Sequence, residues 1–147
     1  MTAIIRHPAV AGRFYSSDPK ILFHDVQSYL APQAAPATAL GCVAPHAGYI
    51  YSGPVAGAVY AQLEIPQRII ILCPNHTGKG RPLAIMSNGT WETPLGRVPV
   101  DAALAEALKK EFPLLTEDFE AHRSEHAVEV ELPFLQVCRP DFTFVPI

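Results

Sequence analysis

Two histidines in this chain stand where chemistry is usually done. His46 and His76 each follow a short apolar run and a proline, and each is followed two residues later by glycine: CVAPHAG from Cys42 and IIILCPNHTG from Ile69. The runs Leu40 to Ala44 and Arg68 to Cys73 have the length and β-branched content of strands buried on both faces, which predicts a parallel sheet covered by helices. In open α/β sheets, ligands bind outside the carboxyl ends of the strands, so both histidines fall on that edge. Two neutral imidazoles brought together there begin a metal site. The plainer reading makes them hydrogen-bonded loop histidines, and their spacing alone does not separate the two. A third stretch, Ser124 to Gln136, carries His126 between Glu125 and Glu129. With Ser124 as N-cap, Glu125 and His126 fall in a first helical turn and His126 shares a face with Glu129. That arrangement suits a general acid or base whose tautomer Glu129 or Glu125 fixes, in its neutral form beside a helix N-terminus. A helix-start histidine among charges is the structural alternative. Arg6 and Arg13 suit either an anion or pairing with surface carboxylates.

Other chemistries are not signalled. There is no GxSxG, no GxGxxG and no P-loop. Cys42, Cys73 and Cys138 are odd in number and set in apolar surroundings, so they read as reduced, buried thiols and not as a disulfide framework. A formal charge of −3 gives no basic footprint for nucleic acid. No apolar run reaches bilayer length, and MTAIIRHPAV lacks the pattern of a secretory signal, so a cytoplasmic protein without membrane association is expected. With 147 residues, 49% of them hydrophobic, the chain can bury the core of one domain.

The elements that must position these residues follow from punctuation and periodicity. Asp18-Pro19 starts a helix whose apolar stripe is Ile21, Leu22, Val26, Tyr29 and Leu30, with His24 off it. An Ala/Pro connector from Pro32 to Thr38 leads into the first strand. A small-residue helix from about Pro54 to Leu63 completes a βαβ unit, and Gly57 lets it approach the sheet closely. The glycines around His46 serve either tight turns or close approach to a ligand. Leu83 to Met86 and Thr90 to Val100 read as extended pieces with a turn at Thr93-Pro94-Leu95-Gly96. Asp101 caps a helix from Ala102 to Glu111. Phe142 to Ile147 is a final apolar strand.

Five blocks then come together: RHPAVAGRFY from Arg6, APHAGYIYSG from Ala44, PNHTG from Pro74, TPLGRVPVD from Thr93 and SEHAVEVELPFLQ from Ser124. In this order they resemble the MEMO family, the protein B of the AmmeMemoRadiSam system, itself similar to LigB-type class III extradiol dioxygenases. The resemblance implies a three-layer α/β/α fold with a metal pocket at the sheet edge. It also implies that His46 and His76 match two metal ligands, and that His126 lines the pocket. Iron(II) or copper, dioxygenase-like or other redox chemistry, a small-molecule or peptide ligand and a radical SAM partner are the accompanying expectations. A non-catalytic binding module is the competing one. The family's later Ser/Asp-rich motif and late cysteine ligand are absent from these 147 residues. The resemblance therefore covers an N-terminal half, truncated relative to the family, with an incomplete pocket. An open edge at Phe142 to Ile147, marginal stability and self-association are expected with it.

Overall fold

The structure is a computed structural model describing residues 4–30 and 35–147. Local signals place most helices. Asp18 accepts from the backbone amides of Lys20 and Ile21 at 2.8 and 3.0 Å, and helix α1 runs Pro19–Tyr29. Leu22 and Val26 are fully buried, whereas Ile21 lies outside the stripe and is exposed. Asp101 caps α3 (Ala102–Glu111) by accepting from the Leu104 amide. It also pairs with Arg68 and receives the Thr143 hydroxyl, so one carboxylate joins a helix start to two strands. The expected Ala/Pro connector lies in part outside the described residues.

Helix α2 spans Tyr49–Tyr60, about one turn earlier than its proline suggested, with Pro54 inside it. Pro54 lacks the amide that would bond the Ile50 carbonyl, so the helix carries it at the loss of one intrahelical hydrogen bond. The close approach at Gly57 is made to α1 and not to a sheet. A Cβ there would lie 2.3 Å from the Tyr29 carbonyl oxygen.

The strands form an α/β fold of short parallel and mixed sheets. β1 (Ile5–Arg6) pairs parallel with β4 (Thr90–Thr93), which forms an antiparallel hairpin with β5 (Gly96–Pro99) through Pro94-Leu95. β2 (Arg68–Ile71) pairs parallel with β7 (Thr143–Pro146), and β3 (Ala84–Ile85) pairs parallel with β6 (Thr116–Glu117). A bridge between Val100 and Phe144 attaches β7 to the hairpin. Strand β7 is thus flanked on both sides, with Phe142, Phe144 and Val145 at 1% exposure or less. It is not the open edge its apolar sequence suggested.

Two further expectations change. Residues 40–46 form no strand, and Leu40 and Val43 are exposed. Backbone from 39 to 46 makes no backbone–backbone hydrogen bond with the described residues, so burial on two faces cannot follow. For the same reason Cys42 is exposed; Cys73 is half-buried and Cys138 exposed, and all three are free thiols. Ser124 does not cap a helix. It closes α4 (Glu120–Arg123), residues 125–128 turn, and a 3-10 segment (Glu129–Glu131) leads into α5 (Leu132–Cys138). No helix among the described residues is long and apolar enough to cross a membrane.

Candidate metal centre

Each histidine is set by a different local device. The His46 loop is held where the Ser52 hydroxyl donates to the Ala47 carbonyl at 3.1 Å, while the Tyr49 amide donates to the Phe14 carbonyl and the Tyr49 hydroxyl to the Val130 carbonyl. Those bonds fix the start of α2 on the core. Gly48 has φ −59°, so no left-handed turn explains it, and Gly53 lies against the Tyr29 ring.

The His76 loop is organised by Asn75. Its Oδ1 accepts from the Thr77 and Gly78 amides at 3.0 Å, and its Nδ2 donates to the Lys79 carbonyl at 2.7 Å. An asparagine that bonds its own following backbone is the expected turn-former at such a position. Gly80, at φ +75°, then brings the chain against α4, where any Cβ would lie 2.7 Å from the Ala121 amide.

Glu125 brings the second and third histidines together. This carboxylate is 2% exposed. Its Oε1 lies 2.9 Å from His76 Nδ1 and accepts from the amides of His126 and Ala127, while Oε2 accepts from the His76 amide. His126 Nδ1 lies 3.2 Å from the same Oε1. Burial works against ionisation of Glu125, but the hydrogen bonds from the His76 side chain and backbone outweigh it and hold the group below the ordinary carboxylate range. For His126 burial dominates and lowers its pKa, the Glu125 charge opposing. The neutral ring expected from sequence is therefore favoured, by desolvation and not by a helix dipole.

The result is a cluster of three imidazoles. Ring centroids are 5.1 Å apart for His46 and His76, 5.9 Å for His46 and His126, and 4.5 Å for His76 and His126. One potential donor atom from each lies within 4.8 Å of the others. Three donors held about 2.0–2.1 Å from one ion sit roughly 3.4 Å apart in tetrahedral geometry, so closing on an ion needs the rings to draw together by on the order of an ångström. The donor set fits: neutral imidazoles suit zinc, copper, iron and nickel. His76 Nδ1–H directed at Glu125 leaves Nε2 free as the donor, an arrangement that orients metal-binding histidines.

Glu129 is not brought into this cluster. Its carboxylate accepts from Arg6 Nη1, the Ala9 and Val10 amides and the Tyr15 hydroxyl, and the residue is fully buried. Arg6 also donates to the carbonyls of His122 and Glu125 and lies 4.4 Å over the Trp91 ring. It therefore meets an interior carboxylate and not a surface one, and only Arg13 remains exposed at the site. A cleft of about 880 Å³ opens from the three histidines, walled by Phe14, Val43, Ile50 and Tyr51, with Arg13 at its rim. Phe14, whose ring lies 4.7 Å from that of His126, comes from the RHPAVAGRFY block.

Comparison with known proteins adds to this geometry. The model of the Memo-like protein family matches residues 6–147. A MEMO1 family protein of Methanothermobacter thermautotrophicus is 44% identical over 98% of this chain and 56% of its own length. One from Archaeoglobus fulgidus is 46% identical over 97% and 53%, and one from Aquifex aeolicus 43% over 97% and 54%. The chain spans about half the length of the curated relatives it matches.

Proposed function

Since this chain belongs to the Memo-like protein family, we propose that His46, His76 and His126 bind a single metal ion, iron(II) or copper, in a protein whose complete form carries out metal-dependent redox chemistry. The observation that supports this most is the convergence of three imidazole donors within 4.8 Å. Held there, the metal supplies a Lewis-acidic, redox-active centre. The protein's own groups do the rest. Glu125 keeps the His76 proton on Nδ1 and the ring turned toward the other two. Burial keeps His126 neutral, which suits it to bind a cation or accept a proton. The cleft walls exclude water around an apolar or aromatic ligand, and Arg13 at the rim favours one that carries an anionic group. A catechol-like acid has that chemistry, in keeping with the dioxygenase-like relation the family resemblance implies.

The competing reading, a binding module that grips a peptide, draws on Ile50 and Tyr51. Both are more than 80% exposed at the cleft mouth, apolar surface that a bound peptide would cover. Anaerobic titration with iron(II) and copper(I), followed by oxygen uptake with catechols with and without a carboxylate, separates the two. Stoichiometric binding abolished by His46→Ala, with metal-dependent oxygen consumption, is the enzyme's signature. Tight metal binding without consumption is the module's. Absence of binding overturns the metal site itself.

A further inference from the structure

The uncovered apolar surface lies along a slot of about 620 Å³ between residues 39–44 and strand β2. One wall is strand backbone and the other is backbone without regular structure, and both have unused peptide groups. Along β2 and the residues flanking it, the Gln67 and Ile71 carbonyls and the Cys73 amide all bond toward β7 or Ile147 just after it, at 2.8–3.0 Å. Alternation along a strand therefore directs the amides and carbonyls of Arg68, Ile70 and Leu72 to the opposite edge, into the slot. On the other wall, residues 39–46 make no backbone–backbone hydrogen bond with the described residues. Leu40 and Leu72 are among the most exposed large apolar side chains, at 112% and 73%. The slot also holds one polar feature that has no use within the described residues. Glu131 is 5% exposed, its Oε2 accepts the Tyr60 hydroxyl at 2.7 Å, and its buried Oε1 has no partner.

We propose that this slot receives a β-strand from the length that the curated relatives carry beyond their match to this chain, and that a hydrogen-bond donor on that strand meets Glu131 Oε1. An unpaired strand edge and a facing segment without backbone partners call for main-chain amides and carbonyls between them, which a strand supplies and an apolar small molecule does not. A buried acceptor without a donor carries a desolvation cost that a single N–H or O–H removes. The relatives supply the occupant: a little under half of the Methanothermobacter protein lies outside the matched length. A second copy of this chain is less suited, because pairing through the same edge on both copies brings a second Glu131 carboxyl.

The test needs no metal, so its outcome is independent of the histidine site. The unmatched part of the Methanothermobacter relative is fused after Ile147, and the chimera is compared with the 147-residue chain. Iodoacetamide should alkylate Cys42, which lines the slot, at least about tenfold more slowly in the chimera, and Cys138, which does not, at the same rate. Amide exchange at Ile70 and Leu72 should slow with it. Glu131→Leu should lower the urea midpoint of the chimera relative to its effect on the shorter chain, since only the chimera has a donor to leave unpaired. Should the chimera not fold, exchange in the full-length relative, at amides that align with Ile70 and Leu72, serves instead. Fast exchange there, or unchanged Cys42 alkylation in a folded chimera, overturns the strand. Cys42 protection in the shorter chain that grows with its concentration, together with a dimer by light scattering, assigns the slot to a second copy and overturns the proposed occupant. An equal effect of Glu131→Leu in both proteins overturns the hydrogen bond.

Discussion

Glu125 and Glu129 lie four residues apart, both are buried, and they are used in opposite ways. Glu129 faces a guanidinium that is charged at every physiological pH, and its remaining lone pairs are taken by two amides and a tyrosine hydroxyl. Nothing in that set can change charge or leave. Glu125 faces His76 and His126, whose charge is adjustable and whose outer nitrogens reach a cleft. The first arrangement ties the N-terminal arm to the body; the second holds donors at a surface without committing them. The difference lies in the partner, a fixed cation in the interior and an imidazole at the cleft. Glu131, two residues further, shows a third case: among the described residues it has no cation, and one oxygen is unpartnered.

The sharpest way to break this contrast is to remove the architectural carboxylate. Glu129→Ala leaves Arg6 charged at 1% exposure with no counter-ion, and loss of one partner of a buried pair costs about 3–5 kcal/mol. Urea denaturation should show a loss of that size, accompanied by faster exchange at the Ala9 and Val10 amides. A loss below about 1 kcal/mol would mean that the arm is held by other contacts.

Glu131 supplies the next largest effect, read as pH dependence. Burial, opposed by the Tyr60 hydrogen bond, raises its pKa to about 7 from 4.5. Below about 4.5 the group is protonated in both folded and unfolded chains and costs nothing. Between 4.5 and 7 the unfolded chain releases its proton while the folded chain keeps it, so stability falls as pH rises. Above 7 the whole cost of about 3 kcal/mol stands. Glu131→Gln should remove that slope, and a melting profile as steep in the variant as in the parent would assign it to other groups.

How much of this was legible in the sequence follows from the range over which each interaction acts. The caps at Asp18 and Asp101, the turn at Pro94-Leu95 and the helix Ala102–Glu111 are local matters of residue type, and they appear where residue type puts them. His46 and His76 were marked by proline and glycine punctuation. The choice between Glu125 and Glu129 was not legible, because it depends on Arg6, more than a hundred residues away, claiming Glu129. Helical spacing placed Glu129 with His126, but the chain turns at 125–128 and the helix begins only at Leu132. The run Leu40 to Ala44 shows the same limit from the other side. A strand is defined by its neighbours, and residues 39–46 have no backbone partner among the described residues.

The Glu125 side of the contrast is sharpened by Glu125→Gln. The amide keeps the size of the side chain but weakens the acceptor that fixes His76. Losing such an orienting partner typically lowers metal affinity 10–100-fold, or about 1.4–2.8 kcal/mol. Calorimetric titration with the metal that binds the parent should show that loss, with the stoichiometry still one. An unchanged affinity would make Glu125 a backbone anchor only, since its oxygens also accept the amides of His76, His126 and Ala127.

The smallest effect expected is the one that completes the comparison. His46 is half-buried, its side chain makes no hydrogen bond with the described residues, and it meets the other two histidines only at ring-to-ring distances above 5 Å. Truncating a side chain of that kind, away from core and caps, changes stability by about 0.5 kcal/mol or less. In metal-free protein His46→Ala should therefore melt with the parent, while the added metal that raises the parent's midpoint should leave the variant's nearly unmoved, because a ligand stabilises only the state it binds. A site whose residues can be removed without cost to the fold is held in place by others: Ser52 and Tyr49 for the His46 loop, Asn75 and Glu125 for the His76 loop. A marked loss of stability in metal-free His46→Ala would place His46 with Glu129 among the architectural residues, and the division between the two regions would fail at its simplest point.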